Sequence, residues 1–132
     1  MSMRFSKDHY WVYVLETSYA QQTMVAVVGV TPKALEGLGD LISVTLPNIG
    51  ETFAQGAAAA SVESAKTVSD VYLPVSGEIV EVNAAMRDDP TLANTDPLGA
   101  GWFFKVKVSD PGELDVLLDE PAYMQSVGAV PR

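Results

Sequence analysis

The run Glu63-Ser64-Ala65-Lys66-Thr67, followed by Ser69-Asp70, sets one lysine between two β-rich stretches in a chain with few other reactive groups. His9 is the only histidine, and its neighbours Asp8, Tyr10 and Trp11 supply no spacing that marks a nucleophile–base pair or a histidine metal site. Cysteine is absent, so the chain has no disulfide, no cysteine-ligated zinc or iron–sulfur centre and no thiol nucleophile. The glycines form neither a G-x-G-x-x-G opening a helix nor a phosphate loop with a lysine. The carboxylate pairs Asp88-Asp89 and Asp119-Glu120 fall in a loop and at a helix end, where acids serve as solvated caps more often than as acid–base catalysts. No residue is assigned a catalytic or metal-ligating role, and any chemistry must be hung on Lys66 from outside.

The elements that position this lysine have to come from a chain of 132 residues, 48% hydrophobic, with eight Lys and Arg against seventeen Asp and Glu. A chain of this length buries about two thirds of its unfolded surface, enough for one domain over residues 1–132 without staples. The formal charge of -9 disfavours nucleic acid and anionic lipid, whose phosphates would repel it. Basic protein partners and a plain solubilising surface are the two readings it leaves open. Met1 to Asp8 lacks the apolar core of a signal peptide, and no run approaches the roughly 20 apolar residues of a membrane span. The expectation is a cytoplasmic monomer without a membrane segment.

Tyr10–Leu15 and Met24–Val30 are short runs rich in Val, Tyr and Trp that read as a hairpin pair. Thr31 offers an N-cap with Pro32 at the first helical position, and Gly37 and Gly39 close the helix within about two turns. Leu41–Leu46 reads as a strand that Pro47-Asn48-Ile49-Gly50 halts. The tract Ala57–Ala60 favours helix by propensity, but it is short, uncapped and flanked by strand-like segments, so strand is expected. Val68–Val82 gives two more strands, with Val71 and Leu73 on one face and a turn over Pro74–Gly77. Arg87–Gly101 reads as a long polar loop. Trp102–Val108 alternates most clearly, with Trp102, Phe104, Val106 and Val108 on one face. Asp110-Pro111-Gly112-Glu113 has the form of a capping box opening a helix that carries Leu114, Leu117 and Leu118 on one side. A second helical turn is expected over Ala122–Ser126, and the tail Gly128–Arg132 is expected to fray. The sum is roughly seven strands, mainly β, with a short helix near each end.

Around Lys66 the residues reach a known family. The run Glu63-Ser64-Ala65-Lys66, then Ser69-Asp70-Val71-Tyr72-Leu73-Pro74-Val75-Ser76-Gly77-Glu78-Ile79-Val80-Glu81-Val82-Asn83, resembles the lipoylation segment of the glycine cleavage H proteins. The resemblance extends over nearly the whole chain: Arg4 to His9 before Trp11, Val28-Gly29-Val30-Thr31, Leu38-Gly39-Asp40, Asn94 with Pro97, Gly101-Trp102 and Pro111-Gly112-Glu113-Leu114. It implies a barrel-sandwich hybrid of two antiparallel sheets, with Lys66 at an exposed hairpin bend and lipoate joined to its amine. It also implies that Glu63, Ser64 and Asp70 form the recognition setting, and that His9 and Tyr10 are arm contacts.

The physics suits a lipoyl carrier. An exposed lysine amine is mostly protonated at neutral pH, so attachment needs a lipoate ligase or lipoyl transferase. Acylation removes that charge, and the arm can then lie on apolar surface or enter a partner's cleft. The five-membered ring of lipoate holds its disulfide torsion far below the relaxed value of about 90°, which makes the bond easier to reduce. Biotin is a weaker rival, because biotinyl lysines usually sit between methionines and Lys66 lies between Ala65 and Thr67.

Two pathways remain. H proteins commonly carry His-Glu-Trp where this chain has His9-Tyr10-Trp11, and that glutamate helps hold the aminomethylated arm. Ala65 stands for the usual valine, and the alanine tract occupies a place where a glycine is usual. Tyr10 therefore tilts the reading toward the similar lipoate-binding carriers of heterodisulfide-reductase-like sulfur oxidation. The alternative is the glycine cleavage carrier of the aminomethyl group, serving glycine decarboxylase and aminomethyltransferase. Dihydrolipoyl dehydrogenase is a further expected partner, and an unmodified interaction module is the contrasting class.

Overall fold

The computed structural model describes residues 3–6, 9–18, 23–119 and 121–123. Among them the chain forms nine strands: β1 (Met3–Phe5), β2 (Tyr10–Ser18), β3 (Thr23–Val30), β4 (Leu41–Thr45), β5 (Thr52–Phe53), β6 (Ala58–Ser64), β7 (Val68–Tyr72), β8 (Gly77–Val82) and β9 (Phe104–Val108). All pairings between them are antiparallel. One sheet runs β1-β2-β3-β9-β8-β5 and the other β4-β6-β7. This is the expected mainly β barrel-sandwich architecture, with short helices set between strands.

The core is the space between the sheets. Val12, Ala26, Val28 and Val106 of the large sheet are fully buried, as are Leu41, Val62 and Val71 of the small one to within a few per cent. Each branched side chain so buried contributes about 1.5–3 kcal/mol from water exclusion. A second apolar cluster contains Phe5, Trp11, Val27 and Tyr123, with the Phe5 and Tyr123 rings stacked at 4.5 Å. Gly29 faces Trp11 across β2 and β3, and a methyl group there would lie 2.5 Å from the indole. Only a residue without a side chain fits that close approach.

Several sequence expectations are met. The alanine tract is strand from Ala58 on, because β6 is the central strand of the three-stranded sheet and its Ala59 and Ala60 are buried in the core. Helix α1 (Pro32–Leu38) has Thr31 at its N-cap, whose hydroxyl accepts the Ala34 N–H at 3.4 Å. It ends at Gly39, held at φ +79 with its N–H donated to the Leu35 carbonyl at 2.8 Å.

Others are corrected. Seven strands become nine among the described residues because short edge strands, β1 and β5, carry too few residues to show alternation. The expected polar loop Arg87–Gly101 starts inside a one-turn helix, α2 (Ala85–Asp88), and holds a second, α3 (Leu92–Thr95); the two bury Met86 and Ala93 against the core. The capping box is not closed. Asp110 accepts the Gly112 N–H at 3.1 Å, but the Glu113 side chain turns away from the helix start and accepts the Ser76 N–H at 2.6 Å and hydroxyl at 2.8 Å. The segment Pro111–Val116 is accordingly a 3-10 helix tied to the β7–β8 turn rather than an α-helix. Residues 121–123 are helical, whereas Met124–Ser126, the tail Gly128–Arg132, and Lys7, Asp8 and Glu120 lie outside the described residues. Asp119 is a cap, accepting the Ala122 N–H at 2.9 Å.

Candidate functional site

Strands β6 and β7 pair down to Glu63 opposite Val68, and the hairpin then closes over Ser64 to Thr67. The Ser64 N–H donates to the Thr67 carbonyl at 2.8 Å. Its hydroxyl oxygen, on a residue only 5% exposed, accepts the backbone N–H groups of Lys66 and Thr67, each at 3.3 Å. One buried serine therefore satisfies the polar backbone of the bend and turns Lys66 outward into solvent. Ser64 shapes the turn and offers little surface to a partner. Glu63, by contrast, is exposed, in a cross-strand row with Ser43 and Val68, and Val68 itself is 67% exposed.

The lysine side chain lies over the C-terminal end of α1. A methyl group on Gly39 would stand 3.6 Å from Lys66 Cε and 3.9 Å from Nζ. That floor is fixed by Asn94 of α3, whose Oδ1 accepts the Leu41 N–H at 2.9 Å while its Nδ2 donates to the Gly39 carbonyl at 3.0 Å. A two-point amide clamp on one loop needs a side chain carrying both donor and acceptor at this reach, which asparagine provides.

Beside the hairpin a cleft of about 240 Å³ opens between α1 and β7. Its walls include Val30, Leu38, Val62 and Val71, with Asp70, His9 and Tyr10 as the charged or titratable residues. His9 adopts φ +72, unusual for a residue with a side chain, and its backbone is held at both ends: its N–H donates to Ser6 O at 3.1 Å and its carbonyl accepts the Thr31 N–H at 3.0 Å. Its Nδ1 lies 3.0 Å from the Tyr123 hydroxyl, which in turn sits 2.7 Å from Thr31 Oγ1. Burial pushes the Tyr123 phenol above its ordinary 10.0; the Thr31 hydrogen bond draws it back and the Glu36 charge adds to the rise.

Tyr10 also borders the cleft, but its chemistry is spent on structure. It is 7% exposed, and its hydroxyl donates to the Asp70 carbonyl at 3.3 Å and accepts the Tyr72 N–H at 3.2 Å. Of the residues singled out in the sequence, Lys66, Asp70, His9 and Tyr10 converge on this face, Ser64 lies beneath it and Glu63 stands on the exposed row beside the bend. Sequence reasoning missed Tyr123 and the roles of Asn94 and Gly39 toward the lysine. Asn94 and Gly39 stood in matching motifs, yet nothing in their spacing joins residues 55 positions apart. No group of three or more His, Cys, Asp or Glu side chains that could hold a metal occurs among the described residues. Nor is any helix among them long and apolar enough to cross a membrane.

The model of the glycine cleavage H-protein family matches residues 3–129. Among similar curated proteins, the glycine cleavage system H protein of Thermotoga maritima is 46% identical over 122 residues, covering 92% of this chain and 93% of that one. The corresponding protein of Rhodospirillum rubrum is 47% identical over 124 residues, with 94% of each chain covered. A crystal structure of a glycine cleavage system H protein from Mycobacterium marinum superposes with a TM-score of 0.83 at 40% identity, over 96% of this chain and 97% of that one.

Proposed function

The chain belongs to the glycine cleavage H-protein family, and on that premise we propose that it is a lipoyl carrier for glycine cleavage, with lipoate in amide linkage to Lys66 Nζ. It is a carrier and not a catalyst. The observation that carries this reading is the β6–β7 bend, where Ser64 holds the backbone and Lys66 stands exposed over Gly39, the residue after Leu38 in the wall of the neighbouring cleft. The residues fit the group: a lysine free of any ion pair among the described residues, a side-chain-free floor and aliphatic walls beside it. When attached, lipoate supplies a disulfide–dithiol pair that the cysteine-free chain lacks.

In this reading the protein's own residues bind and orient. Ala34 and Leu38, partly exposed in the cleft wall, offer the parked arm an apolar surface, and the exposed Asp70 beside them is the carboxylate that meets a positively charged load. Glu63 and Val68, exposed beside the bend, serve as recognition surface for a lipoate ligase or lipoyl transferase. Glycine decarboxylase, aminomethyltransferase and dihydrolipoyl dehydrogenase are the partners, and the cytoplasm the compartment. The tilt toward sulfur-oxidation carriers and a heterodisulfide-reductase-like complex is set aside. It rested on Tyr10 as a missing charge, yet that side chain turns its hydroxyl onto β7, and the similar proteins are named for glycine cleavage.

Co-expression with lipoate ligase tests the attachment: intact mass is expected to show one lipoyl adduct that Lys66→Arg abolishes while circular dichroism stays unchanged. The lipoylated protein is then expected to support glycine cleavage with the decarboxylase and aminomethyltransferase. An adduct surviving Lys66→Arg overturns the site, and lipoylation without glycine cleavage overturns the pathway.

A further inference from the structure

Strand β7 is an edge strand, since the small sheet runs β4-β6-β7 and, among the described residues, no strand pairs with the far side of β7. Along that side the carbonyl of one residue and the N–H of the residue two further on point outward and would normally be met by a neighbouring strand. At Asp70 and Tyr72 both are met by the same side-chain oxygen, with the Asp70 carbonyl also accepting from Ser69 Oγ at 3.3 Å. The Tyr10 hydroxyl donates to Asp70 O at 3.3 Å and accepts from Tyr72 N–H at 3.2 Å, the two bonds that a single backbone residue of an adjacent parallel strand would make. Tyr10 belongs to the other sheet, at the first position of β2, and its own backbone is fixed. Its N–H donates to Ser6 Oγ at 3.2 Å, and its carbonyl accepts the Ser6 N–H at 2.9 Å. The ring thus bridges the sheets at their open side and stands between the arm cleft and a separate groove bordered by Tyr72, Leu73 and Leu118.

We propose that Tyr10 is a positioning residue that takes the place of a missing strand on the edge of β7, fixing the cleft side of the Lys66 hairpin for lipoylation and for parking the arm. The proposal rests on the carrier reading for its function, though not for its geometry. Asp70 borders the cleft and its backbone carbonyl is one end of the clamp, so releasing the clamp lets the Asp70 backbone and the hairpin it continues into shift together. A phenylalanine at residue 10 keeps the ring and its packing but cannot make either bond, and a carboxylate there lacks both the reach and, when ionised, the donor for Asp70 O.

The experiment compares the full-length wild type, Tyr10→Phe and Tyr13→Phe, the last a control for hydroxyl loss on the same strand. Amide hydrogen exchange of the unlipoylated proteins is read residue by residue, and lipoylation by lipoate ligase is followed for kcat and KM. In Tyr10→Phe, exchange at Tyr72 N–H is expected to speed up about tenfold while β2, β3 and β9 keep their wild-type rates, as for loss of one local hydrogen bond. KM for lipoylation is expected to rise severalfold with kcat unchanged, and Tyr13→Phe to match the wild type in both. Unchanged exchange at Tyr72, a uniform rise across all strands, or a wild-type KM would each overturn the proposal. If none of the proteins accepts lipoate, the carrier reading fails, and the exchange data alone still decide whether Tyr10 clamps β7.

Discussion

At the scale of single residues, the site is built from groups that do one job each. Ser64 is the residue on which the bend depends: its buried hydroxyl is the acceptor for two backbone donors, and alanine there leaves both without a protein partner. Ser64→Ala is expected to cost about 1–2 kcal/mol in urea unfolding and to slow lipoylation, because the lysine is no longer held at the apex. Tyr123 makes a second prediction through pH. Its phenol is raised above 10.0 in the folded chain, first by burial, so the folded state binds that proton more tightly than the unfolded one. Its contribution is therefore fully present below pH 10 and lost as pH climbs through the raised value. Stability to urea is expected to fall in that alkaline window, with the fall reduced in Tyr123→Phe; an identical slope in both proteins would remove Tyr123 as its source.

At the scale of elements, the hairpin is held by neighbours distant in sequence. The α1–β4 loop that carries Gly39 is anchored by α3 through the Asn94 amide, so three elements meet beneath one lysine. Asn94→Ala strands the Leu41 N–H and the Gly39 carbonyl, and is expected to cost about 1–3 kcal/mol in unfolding free energy. Asn94→Asp keeps the acceptor for Leu41 but not the donor for Gly39, and is expected to fall between alanine and wild type. Glu113 ties the 3-10 helix to Ser76 in the same way, with the helix giving up its own capping bond to make a longer-range one.

At the scale of the whole molecule, the excess of nine negative charges and the brief contacts of a carrier favour fast encounter over tight binding. The Debye length falls from about 10 Å at 0.1 M salt to about 3 Å at 1 M, so the association rate with a basic partner surface should fall at least severalfold across that range. Stopped-flow mixing with aminomethyltransferase checks this, and a salt-independent rate would leave the charge as a solubilising coat only.

The sequence by itself determined the strand-rich pattern, the helix between Thr31 and Gly39, the strand nature of the alanine tract, and the segment around Lys66. These follow from alternation, caps and local motifs, which act over a few residues and can be read along the chain. Tertiary structure alone decided what lies around that lysine. Tyr10, read along the chain as a missing charge beside the arm, is a hydrogen-bonding bridge to β7, and Asn94 and Tyr123 reach the site from 28 positions and further along the chain. A side chain's direction and the unpaired edge it meets are set by how two sheets stack, and no spacing in the sequence carries that information.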